Sequence, residues 1–153
     1  ARQRGFSKEP IVEMMIPSLV DDSLAPEGTH VASLFCQQFD PALGSRWQEN
    51  KPAAVDTIIE TVNQYAPNFR NSIIAQQTFS PWDLETEFGL LGGDIFHGRL
   101  SLEQLFSARP MLGAGQYATE INGLYLCGSG THPGGGVSGA PGHNAAMRIL
   151  KDV

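Results

Sequence analysis

A chain of 153 residues is the size of one domain and long enough to bury a core. Its formal net charge of −6, from 10 basic and 16 acidic residues without a basic block, argues against nucleic acid as a partner. No apolar run approaches the roughly 20 residues that span a bilayer, and the N-terminus lacks the apolar stretch of a signal peptide. Cys36 and Cys127 lie too far apart in sequence for a CxxC redox pair, a disulfide framework or a cysteine zinc site. Cytosol or an organelle matrix (mitochondrial, in a eukaryote) is the expected compartment. A chain that starts at Ala1 and enters a strand almost at once reads as a fragment or processed product.

In chain order, Arg2, Arg4 and Lys8 sit in a mixed decapeptide that reads as a solvated tail. Ile11 to Ile16 predicts a strand, closed by Pro17 and the turn-rich run from Asp21 to Gly28. Thr29 to Phe39 predicts a second strand paired with the first. Asp40 to Gln48, with Pro41 and Gly44, reads as a loop. Pro52 to Tyr65 is the clearest helix: Val55, Ile58, Ile59, Val62 and Tyr65 share one face, and Pro67 stops it.

Ile73 to Thr78 reads as a short strand. Ser80-Pro-Trp-Asp83 reads as a capped helix start, with Pro81 in the first turn and Asp83 closing a capping box. Gly92 to Gly98 is a glycine-rich loop, and Ser101 opens a short helix that ends before Pro110. Gly113 to Ala118 is a turn region. Leu124 to Cys127 is a continuously apolar strand of the kind buried on both faces. A last helix from about Pro141 to Leu150 is expected to bury Ala145, Ala146, Ile149 and Leu150.

Ten of the 17 glycines fall between Gly113 and Gly142. Glycine costs backbone entropy on folding, so such a cluster implies close approach of the backbone to another body. A loop of this kind that feeds a helix N-terminus favours a phosphate or another electron-rich group, and so a nucleotide cofactor. Gly134-x-Gly136-x-x-Gly139 matches the dinucleotide fingerprint literally. Its context does not: no acidic residue on a second strand follows, and the loop from Gly128 to Gly139 is too long for that turn. There is no P-loop either. A tightly packed glycine-rich surface loop is the competing reading, and His132, Asn144 and Ser129 among the glycines weigh against it.

The run from Cys127 to Ala146, CGSGTHPGGGVSGAPGHNAA, resembles the C-terminal FAD-binding motif of the phytoene dehydrogenase-like flavoproteins, in the amine-oxidase and phytoene-desaturase group. Ile16 to Gly28 and Gly92 to Gly98 extend the likeness from about residue 10 to the end. Within the group the chain resembles the branch of pyridine nucleotide-disulfide oxidoreductase domain proteins. The resemblance implies an α+β chain. Residues 1–110 would be the end of a substrate domain, a β-sheet with packed helices. Residues 111–153 would be the closing strand, loop and helix of a Rossmann-like FAD domain whose N-terminal dinucleotide-binding half is absent.

On the same resemblance, Gly128, Ser129, Gly130 and Thr131 lie along the ribityl and diphosphate side of the flavin. Gly134, Gly135, Gly136, Val137, Ser138 and Gly139 pass under the ring, with His132, Pro133 and Asn144 beside it. The helix from Pro141 aims its N-terminus at the flavin N1 and C2 carbonyl, where its partial positive charge favours the anionic reduced ring. Many relatives carry Asp where this chain has Ser129, which weakens that one contact. Gly93, Phe96 and His97 are candidates for a substrate pocket.

No catalytic residue is assigned. No His/Asp/Glu cluster stands at metal spacing, and no Ser-His-Asp order suggests acyl transfer. His132 reads as a loop-ordering residue or a proton relay, and His97 as a pocket residue or a satisfied polar group. His30 and His143 carry no signal. Trp47, Trp82, Phe88 and Phe96 read as core before cavity.

Two functions stay open. One is the C-terminal portion of a flavin-dependent oxidoreductase, dehydrogenase- or desaturase-like, passing hydride from a small apolar substrate to flavin N5, with amine-oxidase chemistry as a variant. Its partner is the missing Rossmann half, and the isolated chain is expected to bind FAD weakly or not at all. The other is a non-catalytic interaction or oligomerisation module on the same fold. A homo-oligomer or a peripheral membrane contact is open in either case.

Overall fold

The computed structural model describes residues 5–98 and 100–153. Arg2 and Arg4 of the expected tail lie outside the described residues, and Lys8 is exposed. The chain forms two compact units, one ending at Glu87 and one from Phe88 to Val153. The secondary structure is α+β, with mostly helix, 3₁₀ turns and one small sheet.

In the first unit, β1 (Val12–Met15) pairs antiparallel with β2 (Ser33–Cys36), Val12 opposite Cys36 and Met15 opposite Ser33. This is the pairing expected from the two β-rich segments. The connection is long but ordered. Asp21 caps a 3₁₀ turn by accepting from the Ser23 N–H at 3.0 Å, and Ser18 Oγ accepts from the Val31 N–H at 3.1 Å.

Helix α1 (Trp47–Tyr65) begins five residues before the predicted start and carries Pro52 inside it. The proline removes one backbone hydrogen bond and crowds the preceding turn, at a cost of about 3 kcal/mol. Trp47 supplies the reason it is accepted. Its ring is 1 % exposed, packs 6.1 Å from Phe6 and 6.0 Å from Phe39, and donates Nε1–H to the Asp40 carbonyl at 2.9 Å. Burying such a side chain is worth about as much as the proline costs. Gly44, at φ 53° and ψ −136°, makes the sharp bend from the preceding 3₁₀ turn, a conformation closed to residues with a Cβ. Of the face expected to be buried, Val62 is, but Tyr65 is 86 % exposed; Ala54 lies inside instead.

After α2 (Phe69–Ser72) the expected strand from Ile73 to Thr78 has no ladder among the described residues, and Ile74 is 83 % exposed. A β-prone segment without a neighbouring strand cannot satisfy its backbone and stays irregular. Helix α3 (Pro81–Phe88) starts at the capping box read from sequence. The Ser80 N–H donates to Asp83 Oδ2 at 2.6 Å and the Asp83 N–H donates to Ser80 Oγ at 3.3 Å.

Lys51 Nζ also meets Asp83 Oδ2, at 2.6 Å. Burial acts to raise the Asp83 carboxyl, but the Lys51 and Ser80 donors outweigh it and hold it below its ordinary 3.8. A carboxyl depressed by folding stabilises fully above 3.8, and that contribution is lost as the pH falls through its lowered folded value. The native chain is therefore expected to exceed Asp83→Asn by about 1 kcal/mol at neutral pH. The gap should narrow once the pH drops below 3.8, as denaturant midpoints measured across the acid range will report.

In the second unit the closing helix α4 (Ala140–Asp152) forms as expected, entered through Gly139 in the left-handed region at φ 71°. Pro141 and Ala145 are buried, but Leu150 is 71 % exposed and Ala146 is also on the surface. Leu124 to Cys127 is not a buried strand. It makes one isolated antiparallel bridge, Ala118 to Tyr125, as the returning arm of a tight turn, and Leu124 and Cys127 are exposed. Among the described residues it joins no sheet. Among the described residues no helix is long and apolar enough to cross a membrane.

Candidate functional site

The glycine-rich segment is organised from beneath by two buried side chains, Arg109 and Tyr117. Arg109 is 1 % exposed. Its Nη2 donates to the carbonyls of Phe96 and Ser129, both at 2.8 Å, and its Nη1 donates to the Gly98 carbonyl at 3.3 Å. One guanidinium thus fastens the loop 92–98 to the loop 128–139. Asp94 shapes the first loop, accepting from the N–H groups of Phe96 and Gly98 at 2.9 Å each. Residues 88–110 accordingly fold with the C-terminal unit.

Tyr117 is 8 % exposed. It donates its hydroxyl to the His132 carbonyl at 2.7 Å and accepts from Asn144 Nδ2 at 2.9 Å, so that it joins loop to α4. Tyr117→Phe is expected to cost about 1–2 kcal/mol, because the His132 carbonyl and the Asn144 amide lose the same partner. Urea denaturation of the two forms measures it. Gly115 is needed where the chain passes Ser107, since a Cβ there would lie 2.8 Å from the Ser107 carbonyl oxygen.

Each candidate residue has a definite place. Gly128, at φ 89°, opens the turn, and its carbonyl accepts from the Thr131 N–H at 3.0 Å and from Thr131 Oγ1 at 2.8 Å. Thr131 is 3 % exposed, so its hydroxyl braces the loop from inside. Ser129 offers its carbonyl to Arg109. Gly130 passes the His97 carbonyl, which a Cβ would meet at 3.7 Å, and a Cβ on Gly135 would lie 3.1 Å from the Phe96 ring. The His132 ring rests 5.7 Å from Phe106, and Pro133 follows it.

Gly134 is buried, and its N–H donates to the Thr131 carbonyl at 2.7 Å. Beyond it the loop rises to the surface. Gly136 has φ 117° with open space where a Cβ would stand, and so has Gly139 at φ 71°. Val137 is fully exposed at φ 56°, a strained position for a β-branched residue. Ser138 Oγ accepts from the Ala140 N–H at 3.3 Å.

Of the pocket candidates, Phe96 and His97 stand against the glycine loop. Gly93 instead donates to the Leu90 carbonyl at 2.7 Å, within its own turn. Asp94, Arg109 and Tyr117 carry the site and were not read from sequence. The one available signal was a lone charge, Arg109, between Ala108 and Pro110. Among the described residues no three His, Cys, Asp or Glu side chains converge on a metal-sized site. A groove of about 380 Å³ along Pro10, Val12, Met14, Val62 and Tyr65 belongs to the first unit and shares no residue with the loop.

The arrangement is an exposed, strained, glycine-lined backbone surface held over a buried cation. The open Cβ positions at Gly128, Gly136 and Gly139 suit a flat group lying on the backbone, and the buried Arg109 Nε has no hydrogen-bond partner.

Comparison with known proteins finds relatives named as an oxidoreductase and as desaturases. It is 47% identical over 150 residues to pyridine nucleotide-disulfide oxidoreductase domain-containing protein 2 of Rattus norvegicus, covering 96% of this chain and 26% of that protein. It is 30% identical over 155 residues to the lycopene-forming phytoene desaturase of Pantoea ananas, covering 97% of the chain and 30% of the desaturase. The lycopene-forming phytoene desaturase of Pseudescherichia vulneris matches at 32% over 143 residues, 90% of the chain and 28% of that desaturase. The chain is a homologue of these proteins, as its glycine-rich motif implied, and spans under a third of their length. No family model and no solved structure matches it.

Proposed function

We propose that this chain is the C-terminal portion of an FAD-dependent oxidoreductase of the dehydrogenase or desaturase type, and that its glycine-rich loop is the flavin-facing part of a split FAD site. The observation that carries the reading is the loop 128–139 itself. Gly128, Gly136 and Gly139 present open backbone where a side chain would obstruct a flat ring, and homologues named as an oxidoreductase and a desaturase align over nearly all of this chain. When bound, FAD would supply the hydride acceptor. The residues named here would position it, with Gly134 to Gly139 under the ring and Gly128 to Thr131 along its ribityl and diphosphate side. Phe96 and His97 would border the face on which a small apolar substrate lies.

In this reading the exposed apolar run Leu124 to Cys127 completes a Rossmann-like sheet whose other strands come from the N-terminal half. That accounts for a strand-like sequence with no ladder. The test is the full-length protein, purified and examined for the visible absorbance of bound flavin, beside this chain alone. Stoichiometric flavin in the long form and little in the short one is expected. A flavin-free long form refutes the reading. A second reading, a non-catalytic interaction module, draws on the exposed Met15, Leu19, Val20, Leu112 and Ile121. A flavin-free dimer in solution would favour it.

A further inference from the structure

A buried cation stands beneath the glycine loop in no ion pair among the described residues. Arginine does not release its proton in proteins, so Arg109 carries a full positive charge at 1 % exposure. Burying such a charge is costly unless something nearby compensates it. None of the ion pairs among the described residues includes Arg109. Its partners are three backbone carbonyls, which carry dipoles and no net charge. Asp94, in the adjoining loop, keeps its negative charge while it accepts from the N–H groups of Phe96 and Gly98, but it forms no ion pair with Arg109, and it is the guanidinium that lies against Gly134.

The guanidinium also lies against backbone that has no side chains. A Cβ on Gly98 would be 3.6 Å from Nη1 and one on Gly134 would be 3.9 Å from Nε, the nitrogen that is buried and unpartnered. Gly134 begins the stretch that rises to the surface at Gly136 and Val137.

We propose that Arg109 is an electrostatic positioning residue, whose buried charge beneath Gly134 favours the anionic form of the group seated on the glycine loop. The inference rests on the flavin reading, in which that group is the ring. Reduction by two electrons and one proton leaves the flavin ring with one negative charge at N1, and a fixed cation below it lowers the energy of that form without moving. The carbonyl bonds hold the charge in place and do not cancel it.

The experiment uses the full-length holoenzyme in native, Arg109→Lys and Arg109→Gln forms, with flavin content, midpoint potential and thermal stability each measured. Both variants lose the fork of hydrogen bonds and should melt earlier. The native potential should lie above that of free flavin, Lys should stay close to it, and Gln should fall. That fall corresponds to about a tenfold loss in the preference for reduced over oxidised flavin. Equal potentials in all three forms, with flavin bound, overturn the inference and leave the flavin reading standing. A native protein without flavin overturns both. If Arg109→Gln retains no flavin, the native form decides, and a potential at or below that of free flavin overturns the inference.

Discussion

Arg109→Met is expected to destabilise the second unit by about 1–3 kcal/mol, the cost of leaving buried acceptors without their donors. Methionine fills much of the volume but donates nothing, so the carbonyls of Phe96, Gly98 and Ser129 lose their guanidinium donors at once. The packing of Phe96 against Gly135 and of His97 against Gly130 would remain between the two loops. Domains of this size have about 5–15 kcal/mol to lose. Amide hydrogen exchange is the appropriate measurement, because the N–H groups of Thr131 and Gly134 are bonded within the loop and will report its opening. Protection at those amides equal to the native form would show that the guanidinium is not what holds the loop.

Trp47→Ala should cost the first unit about 3–5 kcal/mol. The indole is the largest fully buried apolar group, it bridges Phe6 and Phe39, and it anchors the first turns of α1 through its bond to the Asp40 carbonyl. Without it the turns before Pro52 lose the burial that offsets the proline, and α1 should shorten toward the start that its propensity predicts. The chain has two tryptophans, Trp47 and Trp82, both in this unit. Trp82 packs on the same core, so its fluorescence will follow unfolding in the variant. A midpoint within about 1 kcal/mol of the native chain would contradict the core described for this unit.

Local chemistry was legible in the sequence wherever it is decided within a few residues. The Ser80–Asp83 capping box, the β1–β2 pair, the stop of α1 at Tyr65 and the closing helix after Gly139 all formed where their residues placed them. Segments that depend on a distant neighbour were misread. Ile73 to Thr78 and Leu124 to Cys127 have strand-like composition, and neither finds a ladder among the described residues. The early start of α1 follows from Trp47 meeting Phe6, which no window around Pro52 contains.

The same division holds at the candidate site. The glycine spacing from Gly128 to Gly139 was legible in sequence, and at Gly128, Gly136 and Gly139 the backbone does stand open where a Cβ would be. Which side chains hold the surface in place was invisible in sequence, since the contacts join residues 15 to 27 positions apart. Arg109 reads in sequence as a stray charge before a proline and Tyr117 as an ordinary aromatic in a turn. Tertiary structure buries them both. Burial turns the first into a cation held by three carbonyls under the loop and the second into the hydroxyl that joins the loop to the closing helix, because only in a low-dielectric interior do those groups need fixed partners.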